Sequence, residues 1–218
     1  MASPVILVVG AGPGVSGSVA RRFARDGYDV ALLGIDEAAL VALSDEITPG
    51  GSAVDYAVAD LTDVAATTAA VARLGAHTGR LDVLHFNPSA YRRADPLHLS
   101  VDDLLTDVAL GVGALLTVVQ AARPFLATGG RVTVTGSMAA DEPACEAASL
   151  GVQKAGLRNL VQSLDATLAG EGIRAVSVTV RGALSDEGAF TPDRVAEAIH
   201  AAAHQDESDW RCEVPYTG

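Results

Sequence analysis

Short runs of apolar, largely β-branched residues recur along the chain, and longer stretches rich in Ala, Leu and charge lie between them. The runs VILVVG (5–10), DVALLG (29–34), AVDYAVA (53–59), LDVLHF (81–86), RVTVTG (131–136) and RAVSVTV (174–180) predict strands. They are near-continuous rather than strictly alternating, as strands buried on both faces require. The intervening stretches near 15–26, 37–47, 63–77, 101–127 and 149–170 predict helices. A last helix starts at Pro192, a favoured first-turn position, after Thr191 as its cap. The tail segment WRCEV (210–214) adds a candidate edge strand. Strand–helix alternation with short links predicts an α/β fold, a doubly wound parallel sheet of six or seven strands with helices on both faces. No repeat, low-complexity tract or linker interrupts it, so residues 1–218 read as one domain.

Composition narrows the function classes. At 218 residues and 49% hydrophobic, the chain is long enough for a sizeable core. A net charge of −12 leaves no electrostatic footprint for nucleic acid or an anionic membrane. The longest uncharged run, Val108 to Ala122, is shorter than a membrane span, and the N-terminus has no basic region ahead of its apolar run. The expectation is a cytoplasmic protein. Cys145 and Cys212 lack metal-like spacing and are expected to be inert packing residues in a reduced compartment. His200 and His204, at i, i+4 spacing without an adjacent Glu, are expected on a helix surface, and no metal is expected.

The first strand runs into VVGAGPGVSGSVARRF, where Gly12, Gly14 and Gly17 satisfy G-x-G-x-x-G and Gly10 stands earlier in the same turn. Glycines allow the backbone to approach a pyrophosphate, and the helix behind them points free N–H groups at it. Between a strand and a helix, this pattern predicts a Rossmann-type NAD(P) site. Asp60 and Leu61, after the third strand, are placed to flank an adenine, while Asp63 reads as a helix cap. The loop after the second strand has no Arg or Lys and carries Asp36, which leans the cofactor towards NAD over NADP.

With these pieces in place, the chain from Val5 to about Gly182 resembles the short-chain dehydrogenase/reductase family. The resemblance puts the family's third loop glycine on Ser16, with Gly17 compensating, and its Asn-Asn-Ala-Gly segment on Phe86, Asn87, Pro88 and Ser89, where only Asn87 matches. It puts the substrate-orienting serine on Ser137 and the ribose-binding lysine on Lys154. It puts the catalytic Tyr on Leu150 and the catalytic Asn of the long helix on Gly111, and the Pro-Gly after the sixth strand on Arg181-Gly182. The segments SLGVQKAGLRNL and WRCEVPYTG are similar to a branch of the family in which the Tyr helix is replaced in this manner. The resemblance also implies a homodimer or homotetramer paired through the helices at 101–127 and 149–170.

Carbonyl reduction needs a proton for the developing alkoxide, and Leu150 can neither give nor take one. Such a donor contributes about 10²–10⁴-fold. Tyr91 and His85 are the candidate substitutes, both near the carboxyl end of the fourth strand, and Arg92, Arg93 and Arg181 are candidates to hold an anionic substrate. Only RGALSDEGAFT separates the sixth strand from Pro192, which predicts an open cleft. Three readings stand open: an oxidoreductase with a non-standard proton donor, a nucleotide-binding protein without turnover, and a non-redox lyase or isomerase reusing Ser137 and Lys154.

Overall fold

The computed structural model describes residues 3–218. Seven parallel strands form one sheet in the order β3-β2-β1-β4-β5-β6-β7. They are β1 (Val5–Val9), β2 (Asp29–Gly34), β3 (Val54–Val58), β4 (Leu81–Phe86), β5 (Leu126–Ser137), β6 (Arg174–Val180) and β7 (Glu213–Tyr216). The helices are α1 (Val15–Arg25), α2 (Glu37–Ile47), α3 (Val64–Thr78), α4 (Val101–Val108), α5 (Ala114–Ala122), α6 (Ala148–Leu168) and α7 (Pro192–Ala203).

The continuous apolar strands have a simple cause. In β1, Val5, Leu7 and Val9 pack on the face covered by α3, α5 and α6, with Val71, Leu74, Leu115, Val118, Leu157 and Val161. The alternate residues Ile6 and Val8 pack on the opposite face with Val19 and Phe23 of α1, Leu40 of α2 and Ile199 of α7. Successive side chains leave opposite faces, so a strand covered on both sides leaves no solvent-facing position and is apolar almost throughout. The chain order reverses between β1 and β4, which opens the crevice at the carboxyl ends of the strands.

Helix starts follow local chemistry. Asp36, Asp63, Ser100 and Thr191 each accept a hydrogen bond from the amide three residues on, and Pro192 occupies the first turn of α7. The long helix expected at 101–127 runs from 101 to 125 but contains a π-helical turn at Ala109–Gly113, between α4 and α5. By length and composition, 101–125 is apolar enough to cross a membrane, yet Leu115, Val118 and Val119 belong to the core against the sheet.

Three expectations are corrected. The edge strand is β7 at 213–216, beyond most of the 210–214 segment, because Trp210 lies under the guanidinium groups of Arg131 and Arg174 and donates from Nε1 to Asp165 (3.1 Å). Cys145 is exposed and Cys212 half-buried, so Cys145 is not a packing residue. His200 is not a free surface residue: it pairs with Asp26 at 2.6 Å and packs with its ring tilted against Phe23 between α1 and α7, with its pKa held down by burial.

Candidate functional site

The glycine turn delivers a helix N-terminus to the crevice. Gly14 caps α1 with φ +85° and ψ −142°, a conformation closed to L side chains, and no side chain caps the helix behind it. The first-turn N–H groups of α1 are therefore free for an acceptor. A Cβ on Gly12 or Gly14 would meet nothing within 4 Å, so the turn borders open space of the kind a pyrophosphate fills. Gly10 also has positive φ and lies under the Pro88 ring. Gly17 does not face this space. It packs inside α1, where a Cβ would lie 2.7 Å from the Gly12 carbonyl oxygen, and Ser16 beside it is buried. Gly17 thus holds the turn against the helix, the close packing that the third glycine of a G-x-G-x-x-G turn provides.

The adenosine-side residues line up along the strand ends. Asp36 is exposed and caps α2 through Ala39 N (3.3 Å), so one carboxylate oxygen is committed to the helix. Asp60 accepts from Thr62 N (2.9 Å) and Thr62 Oγ1 (2.7 Å), and these bonds hold its pKa below the usual carboxylate range. Leu61 is buried beside it, and Asn87 N donates to the Val9 carbonyl (3.1 Å), tying the segment after β4 to β1.

From the glycine turn the crevice continues into a cleft of about 350 Å³, walled by Gly14, Val15, Asn87, Ser89, Leu150, Val180 and Leu184, with Thr135, Ser137 and Lys154 at its base. Ser137 ends β5, and its Oγ accepts from Ala139 N (3.2 Å). Lys154, on α6, is 5% exposed and donates from Nζ to the Thr135 carbonyl (2.9 Å). Burial pulls its pKa down to about 8. Another hollow, of about 250 Å³ between Asp29, Val54, His77 and Arg80, is lined by none of these groups.

Neither expected substitute donor reaches the cleft. His85 is fully buried, bonded through Nδ1 to Thr133 Oγ1 (3.0 Å), with Thr135 Oγ1 at 3.4 Å from Nε2. Burial, and then the charge of Lys154, lower its pKa to about 3, so it is a neutral hydrogen-bonded core residue. Tyr91 is 70% exposed and forms no part of the cleft wall. The arginines are committed or remote as well. Arg92 clamps Asp107 with two bonds of 3.0 Å and pairs with Asp103, Arg181 pairs with Asp141, and Arg93 lies exposed outside the wall.

Gly111 sits at the centre of the π turn, and its missing Cβ has a visible cause. The Gln153 side chain, fully buried, occupies the space: a Cβ there would overlap its Oε1 and lie 2.9 Å from Cγ and Cδ. Gln153 accepts from Ala90 N (2.9 Å) and donates to the carbonyls of Ala90 (3.1 Å) and Ser149 (3.2 Å). It thereby fixes the 87–90 segment that walls the cleft. Sequence reasoning passed over Gln153. Its signals were its place beside Lys154 and the unexplained glycine inside a long helix.

The short segment after β6 carries no helix. Phe190 packs on Gly182 and edge-on against Tyr216, whose hydroxyl donates to the Ala189 carbonyl, and Leu184 projects 55% exposed at the cleft mouth. A parallel sheet with a glycine turn at its switch point, and a serine and a lysine below, defines a nucleotide-binding α/β protein of the dehydrogenase class. The match to the short chain dehydrogenase family model, over residues 4–188, makes the assignment specific: this chain belongs to that family. It is 33% identical over 178 residues to the oxidoreductase UcpA of Salmonella typhimurium, an alignment covering 79% of this chain and 66%, just under two thirds, of UcpA. Among solved structures it is similar to a short chain dehydrogenase from Burkholderia cenocepacia J2315 in complex with NADP (TM-score 0.90, 26% identity, 97% and 95% of the two chains). A metagenomic short-chain oxidoreductase in complex with NADP gives a TM-score of 0.85 at 25% identity, over 100% and 99% of the chains.

Proposed function

We propose that the protein is a nicotinamide-nucleotide-dependent oxidoreductase acting on a carbonyl or alcohol, with a proton donor other than the family's tyrosine. The observation that carries this reading is the single crevice joining the uncapped N-terminus of α1 to Ser137 and Lys154. The nicotinamide, when bound, supplies the hydride. The protein's own part is to hold the pyrophosphate at Gly12, Gly14 and the first amides of α1, and to hold the ribose through Lys154 Nζ. Ser137 then presents its hydroxyl to the substrate oxygen. Apolar walls at Leu150, Val180 and Leu184 favour a substrate with an apolar flank, and the exposed rim leaves specificity for small molecules low.

The absence of Arg and Lys from the glycine turn and from residues 34–36 supports a preference for NAD(H), although two of the similar structures hold NADP. Calorimetric titration with NAD⁺, NADH, NADP⁺ and NADPH tests the nucleotide site, with tighter binding of NAD(H) expected. No binding of any of the four at millimolar concentration overturns the proposal. A second reading, nucleotide binding without turnover, is favoured by Leu150 standing where the family's phenol stands. It predicts tight binding with no nucleotide oxidation or reduction across a carbonyl and alcohol panel. We also propose that two copies pair through the helix faces at 101–125 and 148–168, where Leu105, Leu116 and Val152 are exposed.

A further inference from the structure

Of the 15 lysines and arginines in this chain, one alone is a lysine, and it is Lys154. Every side-chain ion pair on the described residues is made by arginine or histidine, and Lys154 enters none. Arginine serves wherever this protein needs a fixed positive charge. The two cations differ chemically in one decisive respect: a guanidinium does not release its proton in a protein, whereas a buried ammonium does.

A buried amine without a carboxylate partner also costs stability, so its position calls for a use. Lys154 donates one hydrogen bond, to the Thr135 carbonyl, and an ammonium has two further N–H groups. The cleft wall otherwise holds Asn87, Ser89, Thr135 and Ser137, none of which titrates in the working range. Lys154 is the one ionisable side chain in it.

We propose, on the oxidoreductase reading above, that Lys154 Nζ is itself the proton-transfer group of this cleft. It would give a proton to the substrate oxygen in reduction and take it back in oxidation, with the Ser137 hydroxyl holding the same oxygen. In the proton half of the reduction the Nζ–H bond breaks and an O–H bond forms at the oxygen. The neutral amine is then reprotonated from water. The reductant is the nicotinamide nucleotide.

The surroundings keep this titration simple. On β4, His85 is neutral. On α4, Asp103 and Asp107 are paired with Arg92. Beyond Ser137, Asp141 is paired with Arg158 of α6 and with Arg181, and Arg158 also reaches Glu213 of β7. On β6, Arg174 is paired with Asp165. Burial leaves the amine with a pKa of about 8 instead of the usual 10.5, close to the range in which proton transfer is efficient.

A single lysine allows a direct test. Protein labelled with ε-¹³C-lysine has one resonance to follow, and its pH titration is expected to turn near pH 8. A midpoint at or above about 10, the value of a solvated lysine, overturns the proposal. In turnover, reduction of 2,3-butanedione, cyclohexanone or benzaldehyde at saturating nucleotide is expected to decline above the same midpoint. Oxidation of the matching alcohols is expected to rise through it. Lys154→Arg, which keeps the charge and holds its proton, is expected to lose at least about 100-fold in kcat and to erase the inflection. Lys154→Met, which suits the apolar surroundings, carries the same test if the arginine does not fit. Ser137→Ala is expected to lower kcat without moving the inflection. Turnover and inflection surviving in both Lys154 variants would sink the lysine's role while leaving the oxidoreductase reading intact. A wild-type protein that binds nucleotide yet turns over none of these compounds would sink both.

Discussion

The substitution Gly111→Ala probes the link between the long helix and the cleft. The new methyl would overlap Oε1 of the fully buried Gln153, so the Gln153 side chain has to move. Moving it breaks its bonds to Ala90 N, Ala90 O and Ser149 O. At about 1 kcal/mol net for each bond the loss is about 3 kcal/mol. Alanine's better helix propensity offsets about 1 kcal/mol of it, leaving about 2 kcal/mol of destabilisation. Gln153→Ala removes the same three bonds and leaves a void, so it costs about 3–4 kcal/mol. Because both changes act on one set of contacts, the double variant is expected to cost about 3 kcal/mol, well short of the sum. Urea unfolding at one fixed protein concentration, followed by circular dichroism, measures all three. Additivity within about 0.5 kcal/mol, or an unchanged Gly111→Ala midpoint, would refute the reasoning.

Other expectations follow from the same structure. Gly14→Ala forces a side chain onto φ +85° at the uncapped start of α1, and should weaken NADH binding in calorimetry at least tenfold while costing about 1–3 kcal/mol in stability. Lys154→Met removes the buried charge but also its bond to the Thr135 carbonyl, so it should stabilise the nucleotide-free protein at pH 7 by about 2 kcal/mol. The folded-state pKa of about 8 lies below 10.5, so the unfolded state binds more protons between these values, and wild-type stability should rise with pH across that window while the variant's stays flat. His85 behaves likewise at lower pH. With a folded pKa of about 3 against 6.5, its contribution is complete above pH 6.5 and lost as pH falls towards 3. His85→Asn should flatten that acid limb in denaturation curves recorded between pH 4 and 7; an unchanged slope would count against a buried neutral histidine.

Much of the fold was legible because its causes are local. Apolar runs such as VILVV announce strands buried on both faces, and Asp63, Thr191 and Pro192 announce helix starts through bonds that span three residues. The glycine turn was legible for the same reason, since Gly14 carries its conformational demand alone. The proton-donor candidates were misjudged because closeness to a strand end does not say which way a side chain faces. His85 shares its side of β4 with Val83 and hydrogen-bonds within the sheet, while Lys154 enters from α6 on the other side. Gln153 stayed hidden because its partners, Ala90 and Gly111, are each some forty or more positions away.

The order of residues was enough to specify the elements, their parallel arrangement, the glycine turn and a lysine without a tyrosine four residues earlier. Which groups share the cleft emerged from the packing of distant segments alone. Backbone preference and hydrophobic period act over a few residues, whereas burial, charge pairing and the placement of a proton donor depend on which distant segments come to lie against one another.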